Sequence, residues 1–426
     1  MKRGYMIGVE LNGEICQISH YDEKIQQAQT LNEDTPKSQI PFVIGRYNKE
    51  WVYGVNAKEL GKEEKADCIS NPMPYALRGE EVQLKDEVYN GMELVAAFFE
   101  CVLKEYEKVE MIVFSIPRMD KEVVRVLKQS CEKIGISKED IYVQDYKESF
   151  CHYMICQPRE LWQHESVLFY STSNEIKACV LRKLKEKNGR GRETFVTVDE
   201  SDEIEIEELS YVYPVLNTDK AKEADRKFGE LIKTVFNGKF ISSVFLTGEI
   251  FEIGWFPKSL QTLCEGRRVF QGNNLYSKGA CYTAFLKKTG SCEHPVYWDD
   301  SKLKERICLK FRVNGMEEWY PIVSWGSRWY EEEKSFEILL ENSDDFEIRV
   351  ESLEQKEIEI YKVQLDQIPK RNDYSLRLRV DVTFPDEKTC RLVWTDTGFG
   401  SFFKPSGFQT ETLIHIGGKN GQSNFM

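Results

Sequence analysis

Two polar breaks in otherwise apolar runs of this 426-residue chain carry residue types suited to ligand chemistry. In IGVELNGEICQISHYD, residues 7–22, the break is Glu10-Leu11-Asn12-Gly13, and it is either a plain hairpin turn or a loop that holds a phosphate. In SVLFYSTSN, residues 166–174, Ser171, Thr172, Ser173 and Asn174 form a second break, whose hydroxyls and amide could line a small-ligand site. Glu148 opens a helical stretch; it is either a general base or an acid set against the positive end of the helix dipole. His152, one turn further along, reads as a structural residue, and the Arg190 and Arg192 pair as a solvated turn. The twelve cysteines are scattered without any Cys-x-x-Cys pair, so they read as reduced core thiols rather than as zinc ligands or a disulfide framework.

The elements that must position these residues follow from periodicity. Residues 5 to about 55 alternate or run apolar over strand lengths. A helix is expected over 86–107, with Val88, Met92, Val95, Phe98, Phe99 and Val102 on its apolar stripe. EMIVFSIP is a buried strand, KEVVRVLKQSCEKIG a helix closed at Gly135, IYVQD a strand and KESFCHYMICQ a helix. Strands over 166–187 and 192–200, a helix over 218–236, the strand SVFLTG, and helices at 258–265 and 274–288 repeat that scheme. This half is α/β, built twice over from strands followed by helices. After about residue 293 short strands at hairpin spacing predict a β-sandwich or barrel-like domain, with 294–306 as linker and 418–426 as a loose tail.

Composition narrows the partners. Lys and Arg total 58 against 71 Asp and Glu, and the net charge of −13 disfavours nucleic acid and anionic membrane surfaces. No stretch reaches the roughly 20 apolar residues of a membrane span, and no secretory cleavage pattern follows Lys2 and Arg3. A cytoplasmic location is the expectation.

Several motifs in order resemble the actin-like ATPase superfamily, and within it the 70-kDa heat-shock chaperones. Residues 7–22 stand where that family has its first phosphate loop. TPKSQIPFVIGR followed by VYGVNAKEL resembles its Pro-Ser-Val-Val…Gly-x-x-Ala stretch, EMIVFSIPRMD its strand ending in Val-Pro, and VQDYKESFCHYM its strand and helix beginning Asn-Glu-Pro. SVLFYSTSN falls at the second phosphate loop, VFLTGEIFEIGWFPKSL at the adenosine loop, and NLYSKGACYTAF resembles the final Ala-x-Gly-Ala-Ala-x-x-Ala helix. The resemblance implies a duplicated actin-like, ribonuclease-H-like ATPase domain over 1–293. Over 300–417 it implies an all-β, sandwich-like domain similar to the chaperones' peptide-binding β-domain, carried by VQLDQIPKRNDYSLRLRVDVTFPDEKTCRLVWTDTGFG and without a helical lid.

In that superfamily, the resemblance implies, backbone N–H groups of two Gly-rich turns wrap the phosphates while carboxylates hold Mg²⁺ through water. Here Glu10 replaces the family's Asp as the water-mediated magnesium ligand, and Asn12-Gly13 replaces Gly-Thr. Tyr170 stands for a second Asp, and Ser171, Thr172, Ser173 and Asn174 replace the glycines of the second loop. Gly248 is kept in the third loop, but Glu249 replaces a second Gly. Glu148 matches the catalytic Glu. The reading is a degenerate ATPase-like domain, with ATP or ADP and Mg²⁺ as at most a weak ligand, that acts by binding a protein or peptide partner through the β-domain. An active Mg-ATP-dependent ATPase using Glu10 and Glu148 is the alternative. The aromatic group Trp319, Tyr320, Trp325, Trp329 and Tyr330 is either core packing or the partner surface.

Overall fold

In the computed structural model the described residues are 4–33, 35, 38–172, 175–185, 194–206, 218–290, 295–299, 302–313, 316–341, 345–352, 358–365, 375–400 and 403–416. They form a mixed α/β chain that divides into two compact units, Met1–Tyr297 and Trp298–Met426.

The first unit opens with β1 (Tyr5–Leu11), β2 (Ile15–Asp22) and β3 (Gln27–Thr30), successively antiparallel. A small excursion follows: β4 (Ile40–Pro41), β5 (Val43–Tyr47), β6 (Glu50–Tyr53), α1 (Gly54–Lys62), β7 (Asp67–Ser70), α2 (Met73–Arg78), β8 (Glu81–Leu84) and β9 (Glu87–Asn90). Then come α3 (Gly91–Val102), β10 (Val109–Ile116), α4 (Lys121–Lys133), β11 (Ile141–Asp145) and α5 (Tyr146–Ile155). β10 lies parallel to β1 and β11 parallel to β10, giving the order β11-β10-β1-β2-β3.

The same plan is then repeated. β12 (Glu165–Thr172), β13 (Glu175–Lys185) and β14 (Thr194–Glu205) are successively antiparallel. They are followed by α6 (Asp219–Phe236), β15 (Ile241–Thr247), α7 (Pro257–Cys264), β16 (Arg268–Gln271) and α8 (Leu275–Thr289). β15 is parallel to β12 and β16 to β15, so the order β16-β15-β12-β13-β14 reproduces that of the first sheet. β17 (Val296–Tyr297) extends it beyond β14, inside the segment expected to be a linker.

The expected helix over 86–107 begins only at Gly91. Asn90 accepts from the Glu93 N–H while the Glu93 carboxylate accepts from the Asn90 N–H, a capping box that starts the helix there. Val88, placed on the helix stripe by its spacing, lies on β9 and is exposed. α4 starts at Lys121 as expected, where the Asp120 side chain accepts from the Glu122 and Val123 N–H groups, and is followed by Gly135 at φ +91°.

The last helix of each repeat packs on the other repeat's sheet. On α5, Phe150, Met154 and Ile155 share a core with Leu168, Leu181 and Val198 of the second sheet. On α8, Ala280 and Ala284 share one with Met6, Met111 and Val113 of the first. Glycine makes this close packing feasible at two points. A Cβ at Gly8 would stand 2.2 Å from the Ser277 carbonyl oxygen, and one at Gly279 would stand 2.0 Å from the Ser149 carbonyl oxygen.

The second unit holds β18 (Glu305–Val313), β19 (Met316–Val323), β20 (Lys334–Glu341), β21 (Asp345–Ser352), β22 (Ile358–Gln364), β23 (Ser375–Asp386), β24 (Thr389–Asp396) and β25 (Gln409–His415). They make two antiparallel four-stranded sheets, β19-β18-β21-β22 and β20-β23-β24-β25. Ile307, Leu309 and Ile348 of one share a core with Leu378, Val380 and Trp394 of the other. The expected tail, 418–426, lies outside the described residues.

Candidate functional site

The strand register of the first sheet aligns four polar residues on one face. Glu10 on β1 pairs with Gln17 on β2 and Ser115 on β10, and Ser115 pairs with Gln144 on β11. All four are buried. A polar row across an otherwise apolar sheet demands partners, because a buried polar group left unpaired is costly.

α5 and α8 supply most of those partners. The Ser149 hydroxyl on α5 lies 2.5 Å from that of Ser115 and accepts from the Gln144 amide at 2.8 Å. On α8 the Ser277 hydroxyl donates to the Gln17 Oε1 at 3.2 Å and meets the Ser19 hydroxyl at 2.8 Å. Glu10 is held by Tyr146, the first residue of α5, whose hydroxyl donates to its Oε1 at 3.1 Å. The Tyr146 ring stacks on Tyr276 of α8 with centroids 3.8 Å apart and planes 7° from parallel. Glu10 Oε2 and Gln144 Oε1 are buried with no hydrogen-bond partner.

Burial sets the electrostatics of this row. Desolvation raises the Glu10 pKa to about 8, against a smaller lowering by the Tyr146 hydrogen bond, so the carboxyl is largely protonated at neutral pH. Desolvation, then the Glu10 charge, pushes the Tyr146 hydroxyl and the Cys16 thiol upward as well.

The turns that could receive a phosphate are occupied by the chain's own side chains. Asn12 Oδ1 accepts from the backbone N–H groups of Glu14 and Ile15, each at 3.0 Å, and Gly13 takes φ +90°. In the segment expected to be an adenosine loop, the Gly248 N–H donates to Asn273 Oδ1 at 2.8 Å, and the Asn273 amide donates to Glu252 at 2.5 Å. The space beside Gly248 is filled: a Cβ there would lie 2.0 Å from the Ser171 hydroxyl oxygen.

Of the remaining site candidates, Tyr170 borders the same stacked tyrosines as Glu10, since Tyr276 feels Glu10, Tyr170 and Glu200 together. Tyr170, at the position of the second loop acid, turns its hydroxyl to Glu200 on β14 at 2.6 Å. Glu148 is buried in the first turn of α5; its backbone N–H donates to the Asp145 cap, and the Tyr142 hydroxyl reaches its Oε1 at 3.5 Å. Glu249 is exposed and opens the short turn Glu249–Ile253. The backbone of Thr172 ends β12 opposite Glu175, and Ser173 and Asn174 lie outside the described residues. His152 Nδ1 lies 3.0 Å from the Glu148 carbonyl oxygen, one turn back on its own helix. Among the described residues no group of three or more His, Cys, Asp or Glu side chains could hold a metal ion.

Sequence reasoning missed Gln17, Ser115, Gln144, Tyr146 and Tyr276. The signal available was a polar residue at one phase of each strand, in ICQIS, IVFSIP and YVQD. Which strands lie side by side is not a local property, so the row emerges only with the register.

In the second unit the aromatic group divides. Tyr330 is buried and Trp329 packs against the core, whereas Tyr320 and Trp325 are exposed. Trp325 donates its indole N–H to the Glu351 carbonyl oxygen at 3.0 Å and lies under the Arg306 guanidinium, 4.4 Å from the ring centroid. Arg306 and Arg349 both pair with the buried Glu351 carboxylate.

A family model described as "Family of unknown function (DUF5716) C-terminal" matches residues 26–300, and a model described as "Domain of unknown function (DUF8552)" matches residues 302–416. No curated protein matches the chain. No helix among the described residues is long and apolar enough to cross a membrane.

Proposed function

We propose that this chain, which belongs to the family of unknown function DUF5716 (C-terminal), is an actin-like, heat-shock-chaperone-like protein that no longer hydrolyses ATP and works by binding a protein partner through its β-rich unit. Support for the actin-like reading comes from the repeated strand plan, three antiparallel strands followed by two parallel ones, and from the exchange of α5 and α8 between the repeats.

The observation that carries the loss of hydrolysis is the use of the turns' backbone donors. Phosphate binding at such turns needs free N–H groups and close backbone approach. Here the Glu14, Ile15 and Gly248 N–H groups serve Asn12 and Asn273, and Ser171 fills the space beside Gly248. Magnesium prefers ionised oxygen ligands, and burial keeps the Glu10 carboxyl protonated. Mg-ATP therefore does not fit the residues as arranged.

One observation favours the alternative of an active Mg-ATP-dependent ATPase. Glu10 Oε2 is buried without a partner, and a cation brought close would ionise the carboxyl. In that reading Glu10 holds magnesium-bound water and Glu148 orients the attacking water.

The β-rich unit supports partner binding through its uneven exterior. The outer face of β20-β23-β24-β25 carries the ion pairs Arg377–Glu337, Arg379–Asp381 and Arg391–Glu411 around the exposed Leu339 and Leu413. Tyr320 and Trp325, exposed on the other sheet and its adjoining turn, have the chemistry of interface anchors. Capture of proteins from a lysate by the full chain tests this: Tyr320→Ala with Trp325→Ala is expected to abolish specific capture. Unchanged capture places the contact elsewhere.

A further inference from the structure

An edge strand exposes a row of unpaired backbone N–H and C=O groups, so its natural partner is another strand, and proteins usually blunt such edges with proline, bulges or charge. Among the described residues β19 and β22 are the edges of one sheet of the second unit. β19 carries Pro321, and its pairing with β18 is interrupted by a register shift. β22 carries no proline and pairs with β21 in an unbroken register from Asp345↔Gln364 to Glu351↔Ile358. It also leaves two branched apolar side chains, Ile358 and Ile360, 57% and 56% exposed.

We propose that β22 is a self-association edge, which pairs antiparallel with β22 of a second copy of this chain about a two-fold axis at Ile360. The sequence of the strand is self-complementary in that register. Directly opposed residues point to the same face of a sheet, so a two-fold at a residue keeps the inner and outer faces in phase. Ile360 then meets its own copy, and Ile358 meets the aliphatic stem of the partner's Lys362. Glu359 meets the partner's Tyr361, a hydroxyl that already donates to Glu359 within one chain. No like charges are opposed, which would destabilise the pair, and the axis brings two exposed branched apolar side chains together. A two-fold at Tyr361 would instead set Glu359 against Val363 and Ile360 against Lys362, and would lose the apolar pair at the axis. The β19-β18-β21-β22 sheets of the two copies would join edge to edge as one. A single strand pair buries less than a permanent dimer needs, so the association is concentration-dependent.

Sedimentation velocity of the full chain, from about 1 to about 200 μM where small interfaces associate, reads the equilibrium directly. The expected result is a monomer–dimer transition that Ile360→Glu, which faces Arg349 within the monomer and its own copy across the axis, shifts at least tenfold to higher concentration while the melting temperature of the monomer does not fall. For the register, Ile360→Cys in a Cys264→Ser background, which removes an exposed thiol, is treated with oxidised glutathione. Two thiols then form one disulfide while the oxidant is reduced to two glutathione thiols. Opposed residues of an antiparallel pair have Cα atoms within disulfide reach, so a linked dimer is expected. Leu339→Cys on β20, which is similarly exposed, is expected to stay monomeric. A chain that remains monomeric over the whole range overturns the proposal, even if it captures other proteins through β22. So does a dimer indifferent to Ile360→Glu, or equal cross-linking at positions 339 and 360.

Discussion

Glu10 concentrates the chemistry of the first unit in one carboxyl. Its pKa rises from 4.5 to about 8 on burial, so between those values the folded chain keeps a proton that the unfolded chain releases. Raising the pH through that window must lower stability, by at most about 1.4 kcal/mol per pH unit, and above pH 8 the dependence should level off. Glu10→Gln keeps the hydrogen-bonding shape without the ionisation, so thermal melts from pH 5 to 9 are expected to show a flatter profile than the parent chain, with the variant the more stable of the two at pH 8.5. An unchanged slope would mean that Glu10 is hydrated and ionised in the fold. The residue itself was legible as a chemical candidate from the polar break in IGVELNGEICQISHYD. Its closure was not, because Tyr146 and Tyr276 lie far apart in sequence and meet only when α5 and α8 pack. Local pattern also could not show that Asn12 would spend its oxygen on the N–H groups of its own turn.

Among the elements, α8 lies close against α5, since a Cβ on Gly279 would stand 2.0 Å from the Ser149 carbonyl oxygen. Gly279→Ala must push α5 and α8 apart, and a loss of about 1–3 kcal/mol or more in urea unfolding is expected. Gly229 on α6 is the control: a Cβ added there would stand 3.5 Å from its nearest neighbour, the Ser259 hydroxyl, so Gly229→Ala should be neutral or gain up to about 1 kcal/mol of helix propensity. Equal effects at both sites would contradict the close packing of α8. The α8 glycine was noticed only through the resemblance of NLYSKGACYTAF to the Ala-x-Gly-Ala-Ala-x-x-Ala helix, and its close contact with α5 was not legible. The start of α3 was not legible: Val88 fits the helical stripe by spacing, yet the Asn90–Glu93 capping box overrides it and leaves Val88 on a hairpin. Strand and helix types were recoverable from period, whereas the pairing order was not, since period says nothing of neighbours.

The whole molecule joins a repeated α/β unit, whose turns at Asn12 and Gly248 bond their own backbone N–H groups to side chains, to a β-rich unit that exposes Tyr320 and Trp325. The change of texture near residue 293 announced the second unit, although β17 keeps the chain in the first unit through Tyr297. The central claim is that the first unit has lost ATP turnover. Calorimetric titration of the full chain with Mg-ATP, run beside a phosphate-release assay, tests it most directly. The account predicts no saturable binding tighter than about 1 mM, near −4 kcal/mol, and no phosphate release above the buffer rate. Submillimolar binding with turnover that disappears in Glu148→Ala would contradict it.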